Sequence, residues 1–419
     1  MSEHHKLRIL QVALSGTIGT AQMGPVSATI CALANGFERL GHGVTVCDTK
    51  TTEPRSRMCP RIRVVTVPIA TRRPCVLAVL PARLQAIYEW LSAIAYLWRL
   101  HRLVRLDTFD VVHVHDHRLA CLFALFAPGR YFFTSHDSVW ALVQDQGAKV
   151  PIGGKLGAWL EAFAIRRSRA TIALGDYLAR QLPGERIETI AHGLDPAAWQ
   201  PLDHVDARTA LNIGPEEFTL VFVGRIHPQK GLDVLIEAVR QLAPQIPALR
   251  LHVIGSPGGR YAAGERPSRY ALQLVRQARG LPVRFVGFLS NQSLQLRQYL
   301  SAADLAVVPS RHEPFGYVAL EALAMSVPVI ASRTGGLAQT VTDDVGTLVP
   351  PEDVCALVAA IRTLYDDRPR LARMGANCRA RVVERFSRDE SIRRHVALFE
   401  TSSQAIELAA SEGPAPHAR

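Results

Sequence analysis

No run of consecutive apolar residues approaches the ~18 needed for a membrane-spanning helix, so none is expected. The seven cysteines are scattered and contain no Cys-x-x-Cys pair, which argues against a zinc site and fits a reducing cytoplasm. No Asp-x-Asp tripeptide occurs, and Asp343-Asp344 and Asp366-Asp367 read as a turn and a helix end. A carboxylate cluster of the kind that holds a divalent cation is therefore not expected. Aromatics are sparse at 7% and no nucleic-acid-binding motif is found, so nucleic acid is the least favoured partner. The polar residues 1–8 run straight into an apolar strand, so no signal peptide is expected. No internal repeat is evident.

What is present is a chain of 419 residues, long enough for two or three domains, with 48% hydrophobic residues. Its net charge of +11 suits an anionic ligand, an anionic membrane surface or nucleic acid, and composition alone does not choose. The chain is organised around residues 310–339. A strand over 305–309, a helix over 316–325, a strand over 328–331 and a tight turn at Gly335-Gly336 make a parallel α/β unit. Its first loop sits at the carboxyl end of a strand, where such sheets bind ligands. Glu313 lies in that loop and Glu321 in the helix, with seven residues between them. Backbone N–H groups near Phe315, Gly316 and Tyr317 would form a positive helix start suited to phosphate. A carboxylate can accept from two neighbouring hydroxyls. One on each side of a phosphate site points to a ligand with hydroxyls at both ends, such as a nucleotide sugar. The bland alternative is a capped helix with two solvated glutamates.

This stretch resembles the E-x7-E segment of the retaining glycosyltransferases of family four. The similarity covers nearly the whole chain and is strongest over 221–351. It implies the GT-B fold: two Rossmann-like, doubly wound parallel α/β domains facing a cleft, with a C-terminal helix crossing back to the first. The expected division is 1–197 with the returning helix 388–410, then 198–387, then a disordered tail over 411–419. Ser135-His136-Asp137 is similar to the family's Thr-x-His-Asp segment, which implies that His136 lies over the donor's sugar and diphosphate. Gly224-Arg225 through Lys230-Gly231 is similar to its Gly-Arg-x4-Lys-Gly segment, which places Arg225 and Lys230 on the diphosphate. Gly287-Phe288-Leu289 resembles the backbone segment that holds the base, and Met23-Gly24-Pro25 the N-terminal glycine loop, with Pro25 replacing one glycine. His192-Gly193-Leu194-Asp195 resembles the turn before the interdomain linker, with His in place of Asn. Ser326 and Gln339 depart from the family's Gly and Glu.

The resemblance implies a transferase that moves a sugar from a nucleotide diphosphate to a hydroxyl acceptor with retained configuration. Glu313, His136, Arg225 and Lys230 would form the catalytic group. Gly24, Phe288, Leu289, Phe315, Gly316, Tyr317 and Glu321 would bind substrate. No cofactor, metal or enzymic nucleophile is implied, and the acceptor could be a glycan, a lipid-linked sugar or a small molecule. A sugar-nucleotide epimerase, a phosphorylase-like enzyme and a non-catalytic binding module are the competing readings.

Three further stretches are informative. Residues 83–105 read as a helix packed on the sheet. Their aromatics, Tyr88, Trp90, Tyr96 and Trp98, and arginines, Arg83, Arg99, Arg102 and Arg105, also suit peripheral contact with an anionic membrane. His113, His115 and His117 alternate at a strand end, which suits a metal or, more simply, imidazoles facing a cleft. The polar residues 196–217 read as a linker, and the loop over 256–268, rich in Gly and Arg, as mobile.

Overall fold

The computed structural model describes residues 6–14, 18–20, 23–49, 54–69, 82–146, 152–258 and 266–411. The expected tail lies outside them apart from Ser411, as do parts of the loops expected over 15–24 and 256–268. The chain divides into two compact units, Met1–His192 with Asp389–Arg419 and Gly193–Arg388.

The first unit holds seven strands: β1 (Arg8–Val12), β2 (Gly43–Thr49), β3 (Arg63–Val67), β4 (Val111–Val114), β5 (Phe132–Ser135), β6 (Ala170–Ala173) and β7 (Ile187–Thr189). They form one sheet in the order β3-β2-β1-β4-β5-β6-β7. Every pair is parallel. The central strands β1, β4 and β5 are buried almost throughout because helices cover both faces. Ala82–Leu103, His117–Phe126 and Ile152–Arg167 pack on one face, where Tyr96, Leu100 and Phe123 meet Leu10, Val112 and Phe133. Pro25–Arg39 and the final helix, Arg388–Ser411, take the other, where Phe37 and Phe399 meet Ile9 and Phe132. These two helices approach closely: a Cβ at Gly36 would lie 2.2 Å from Ile392 Cδ1. The returning helix expected from the sequence is thus part of the first unit's core.

The second unit holds β8 (Phe218–Val223), β9 (Leu249–Ile254), β10 (Val283–Gly287), β11 (Leu305–Val308), β12 (Val329–Ser332) and β13 (Gly346–Val349). Their order is β10-β9-β8-β11-β12-β13, again all parallel. The helix Leu232–Leu242 shows why it forms: Leu232, Leu235, Ile236, Val239 and Leu242 recur at helical spacing and are all buried. Both sheets are doubly wound, as the sequence led us to expect.

Two expectations are corrected. Residues 196–217 are not simply a linker: they contain the helix His204–Leu211, capped by Asp203, whose carboxylate accepts from the backbone N–H groups of Val205 and Asp206. Its anchor is Arg208, a buried cation that donates to the carbonyls of Ala302, Gly214 and Glu217 and faces Asp304. A polar anchor leaves no apolar period to read. The three histidines also do not share one face. The strand ends at Val114, Asp116 caps a new helix, and His117 becomes that helix's first residue.

Candidate active site

β8 and β11 are neighbours although β9 and β10 lie between them in sequence. The loops that follow them therefore leave the sheet at its topological switch point. The two loops are locked together. Gly231 adopts φ +66° against the backbone of Pro309, where a Cβ would lie 1.9 Å from the carbonyl oxygen. Arg311 N donates to Gln229 O at 2.8 Å, and Gln229 Nε2 to His312 O at 3.3 Å. Arg311 then grips Asp233 at 2.7 and 3.0 Å and Glu352 at 2.8 Å. The hydrogen bonds to Asp233 raise its already high pKa.

This scaffold brings two of the expected residues of the second unit, Lys230 and Glu313, into contact. Lys230 Nζ lies 2.5 Å from Glu313 Oε2, and Ser310 Oγ donates to the same oxygen at 3.3 Å. Arg225, on the same loop as Lys230, donates from Nη2 to Gln229 Oε1 at 3.4 Å. The backbone of Glu313 is pinned from beneath: Gly336 N donates to its carbonyl at 3.0 Å, and a Cβ at Gly335 would lie 2.0 Å from that oxygen. The glycine pair expected as a turn thus positions a carboxylate. Gly316, at φ +96°, opens the helix Tyr317–Ala324 with no side-chain cap, and the first N–H bonded back into that turn is Ala319's. Such a helix start is positive.

Glu321 lies one turn along this helix, half-buried, with no hydrogen bond to its carboxylate among the described residues. Burial alone raises its pKa to about 8. Phe288 and Leu289 follow β10 at the same carboxyl edge, two strands from β8.

In the first unit, His136 follows β5 and sits inside a file of imidazoles. His115 Nε2 meets Gln11 Oε1, His115 Nδ1 lies 3.0 Å from His136 Nε2, and His136 Nδ1 lies 3.2 Å from His192 Nε2. An amide oxygen only accepts, so with the Gln11 oxygen at His115 one pattern satisfies the file. His115 donates to Gln11, His136 to His115 and His192 to His136. Burial keeps the rings neutral: it lowers His136 to about 3 and holds His115 and His192 well below the usual range. Both ring nitrogens of His136 are therefore engaged within the unit. His113 packs against His115 with ring centroids 4.0 Å apart but is hydrogen-bonded elsewhere, to Thr134 Oγ1 at 2.6 Å. Among the described residues no three His, Cys, Asp or Glu side chains converge as a metal would need.

Glu161, which the sequence reading missed, accepts from Ser135 Oγ, Ser138 Oγ and Trp140 N at 3.2, 3.1 and 2.8 Å. It ties down the loop that carries His136. Burial raises it to about 7 against those hydrogen bonds. Gly24 behaves differently from the other expected residues. It precedes the helix Pro25–Arg39 with φ −70°, and a Cβ there would meet nothing within 4 Å, so the fold itself does not require a glycine.

Residues 205–381 match the family described as Glycosyl transferases group 1, and residues 24–193 the Glycosyl transferase 4-like domain. The lipopolysaccharide core biosynthesis mannosyltransferase LpsB of Rhizobium meliloti is 32% identical over 57% of this chain and 67% of its own length. The chain belongs to the group 1 glycosyltransferases. A second relative of this glycosyltransferase is the D-inositol 3-phosphate glycosyltransferase of Geodermatophilus obscurus, 36% identical over 55% of this chain and half of its own length. The sucrose-phosphate synthase of Thermosynechococcus elongatus has the same fold, with a TM-score of 0.76 over 96% of this chain and 100% of its own, at 24% identity. Anabaena HepE in complex with UDP-glucose matches 94% of this chain and 100% of its own, with a TM-score of 0.68 at 19% identity. The two-domain GT-B architecture of this glycosyltransferase is thus shared with enzymes of quite different sequence.

Proposed function

We propose that this glycosyltransferase moves a hexose from a nucleotide diphosphate donor to a hydroxyl of a glycan, a lipid-linked sugar or a small molecule, with retention of configuration. One observation carries the reading. Lys230 pairs with Glu313 at the switch point of the second unit, with Arg225 on the same loop as Lys230 and an uncapped helix start following Glu313. The chemical problem is negative charge growing on the leaving diphosphate. Arg225, Lys230 and the N–H groups at Gly316–Tyr317 are fixed donors that stabilise it without reorganisation. On donor binding, Lys230 exchanges Glu313 for phosphate oxygens, and Glu313 turns to the hydroxyls of the transferred sugar. Glu321 accepts from the ribose hydroxyls, and the backbone at Phe288–Leu289 frames the base. The family resemblance assigns His136 to the donor's sugar and diphosphate, and any contact through either of its ring nitrogens would require one hydrogen bond of the histidine file to open. The departing phosphate takes the acceptor proton on the same face, so no enzymic nucleophile is needed. Fixed cations do the neutralising, so the reaction needs no divalent metal and no cofactor. The relatives' activities support a glycosyl donor, and HepE's UDP-glucose supports UDP as the carrier. We place the protein in the cytoplasm, where such donors occur.

A thermal-shift screen against UDP-, GDP- and ADP-sugars identifies the donor, because a ligand that binds only the folded state raises the melting point. Arg225→Ala and Lys230→Ala should each slow turnover by about a hundred- to thousandfold, the usual cost of one transition-state donor. Near-wild-type turnover in both would remove them from the site. Turnover that survives EDTA, with metal content checked by mass spectrometry, is the expected result for a metal-free site. Activity that is lost on chelation and restored by magnesium would overturn that part.

A further inference from the structure

The helix Ala82–Leu103 has two apolar faces. Ala93, Tyr96, Leu97 and Leu100 are buried against the sheet. Leu84, Ile87, Leu91, Ile94 and Trp98 recur at helical spacing and point away from it, with Leu91 59% and Trp98 55% exposed. A helix that is apolar all round is ordinarily buried all round. This one is not, and no helix among the described residues is long and apolar enough to cross a membrane.

The neighbouring helices of the same layer continue the pattern. His117–Phe126 packs beside Ala82–Leu103, and Ile152–Arg167 beside His117–Phe126. They expose Phe126 at 70% and Trp159 at 59%, together with Leu125 and Leu156. Ten of the large exposed side chains of the described residues, counting Leu103, therefore sit on one helical layer. Scattered exposed hydrophobics need no explanation, but a contiguous set of this kind marks an interaction surface.

The charges on the layer select the partner. Arg102 stacks on Trp98, its guanidinium carbon 3.6 Å from the ring centroid. Lys155, Arg166 and Arg167 are exposed on the third helix. The one acidic side chain on Ala82–Leu103, Glu89, is spent on Arg118 at 2.9 Å. At the layer's edge a cavity of about 520 Å³ is lined by Leu97, Val104, Phe123 and the exposed Phe126, with Arg130 and Arg169 in its wall beside Asp107 and Asp110, which are paired with Arg105 and Arg8. With Asp107 and Asp110 already paired, Arg130 and Arg169 leave the cavity edge cationic beside an apolar face that carries Arg102, Lys155, Arg166 and Arg167, which fits an anionic amphiphilic surface.

We propose that this helical layer docks on an anionic lipid bilayer. The Leu84–Trp98 stripe and Trp159 enter the boundary between headgroups and acyl chains, and the arginines and Lys155 lie at the phosphates. The chain rests on the membrane without spanning it.

The test is co-sedimentation of the full chain with vesicles of phosphatidylcholine alone or mixed with phosphatidylglycerol. Binding is expected on the mixed vesicles, weaker on the neutral ones, and reduced by salt. Leu91→Glu/Trp98→Glu changes only exposed side chains, so its circular dichroism and melting point should match the wild type. Its partition into mixed vesicles should fall at least about tenfold. Arg102→Glu with Arg130→Glu should lower binding to mixed vesicles while leaving binding to neutral ones unchanged. Equal binding of wild type and Leu91→Glu/Trp98→Glu would overturn the proposal. So would an absence of vesicle binding, whether the protein is monomeric or forms a dimer that this variant dissociates, the latter assigning the face to a second copy of the chain. None of these readouts depends on sugar transfer, so the transferase reading can stand or fall separately.

Discussion

Glu321 is a carboxyl group whose environment withholds everything that would ionise it. Burial alone raises it to about 8, and no donor among the described residues reaches it. A ribose that donates two hydroxyls to it would favour the carboxylate, so nucleotide binding should release a proton below pH 8. Affinity for UDP should then weaken by up to about tenfold per unit as pH falls from 8. Glu321→Gln should bind more weakly and lose the part of the slope that the nucleotide's own phosphates do not supply. Calorimetry in buffers of different ionisation heat measures the released proton directly. The same shift affects folding with a definite sign. The folded pKa is above the unfolded one, so the stability that the protonated acid contributes is present in the acid range and is lost as pH rises through about 8. Glu321→Gln should accordingly gain in melting point over the wild type at pH 9 and not at pH 4. Identical pH slopes in the two proteins, in binding and in melting, would refute the assignment.

At the scale of elements, the helix Tyr317–Ala324 ends on a residue that its conformation does not favour. Ser326 adopts φ +61°, and its N–H donates to Leu323 O at 3.0 Å. The left-handed conformation costs a non-glycine residue about 1–2 kcal/mol, and glycine's extra freedom when unfolded returns about 0.5–1 kcal/mol of that. Ser326→Gly should therefore stabilise the second unit by roughly 0.5–1 kcal/mol in urea unfolding at unchanged m. A loss of stability would show that the serine makes a compensating contact. The departure from the family's glycine was readable in the sequence, but the strain was not, because a dihedral has no one-letter code. The same division runs through the site. The strand-loop-helix-strand order around 305–331 was legible because strands buried on both faces read as short apolar runs, and the Ala- and Leu-rich helix between them has no breaker. The Glu313–Lys230 partnership was legible only as two residues of one kind of site, since 83 positions separate them. Arg311, Asp233 and Gln229, which hold those loops together, carried no signal, because one arginine among the chain's basic residues looks like any other. Glu161 was hidden in the same way inside an otherwise amphipathic segment. The histidine strand end misled for a local reason: Asp116 caps a helix, and capping by a single side chain overrides the alternation of a strand.

At the scale of the whole chain, the cores of the two units draw on separate residues. The first is closed by a helix that is last in sequence, with Phe399 fully buried against Phe132, His113 and Phe37 at ring separations of 4.7, 5.5 and 5.8 Å. The second unit holds the groups proposed to bind the nucleotide: Arg225, Lys230, Glu321, the N–H groups at Gly316–Tyr317 and the backbone at Phe288–Leu289. Perturbing the two units should therefore give separable effects. Phe399→Ala removes a fully buried ring and should cost about 3–5 kcal/mol. For a unit of this size that corresponds to a fall of roughly 10 °C in its own melting transition. On the proposed assignment of Arg225, Lys230 and Glu321, UDP would bind the folded second unit, so by mass action it should raise the other transition, and should do so equally in the wild type and in Phe399→Ala. Scanning calorimetry with and without UDP follows both transitions in one experiment. A single transition that Phe399→Ala lowers and UDP raises as a whole would mean that the units unfold together, and the separate-core account would fail. Two transitions with UDP acting on the one lowered by Phe399→Ala would instead move the nucleotide's main contacts to the first unit, and with them the roles assigned to Arg225, Lys230 and Glu321.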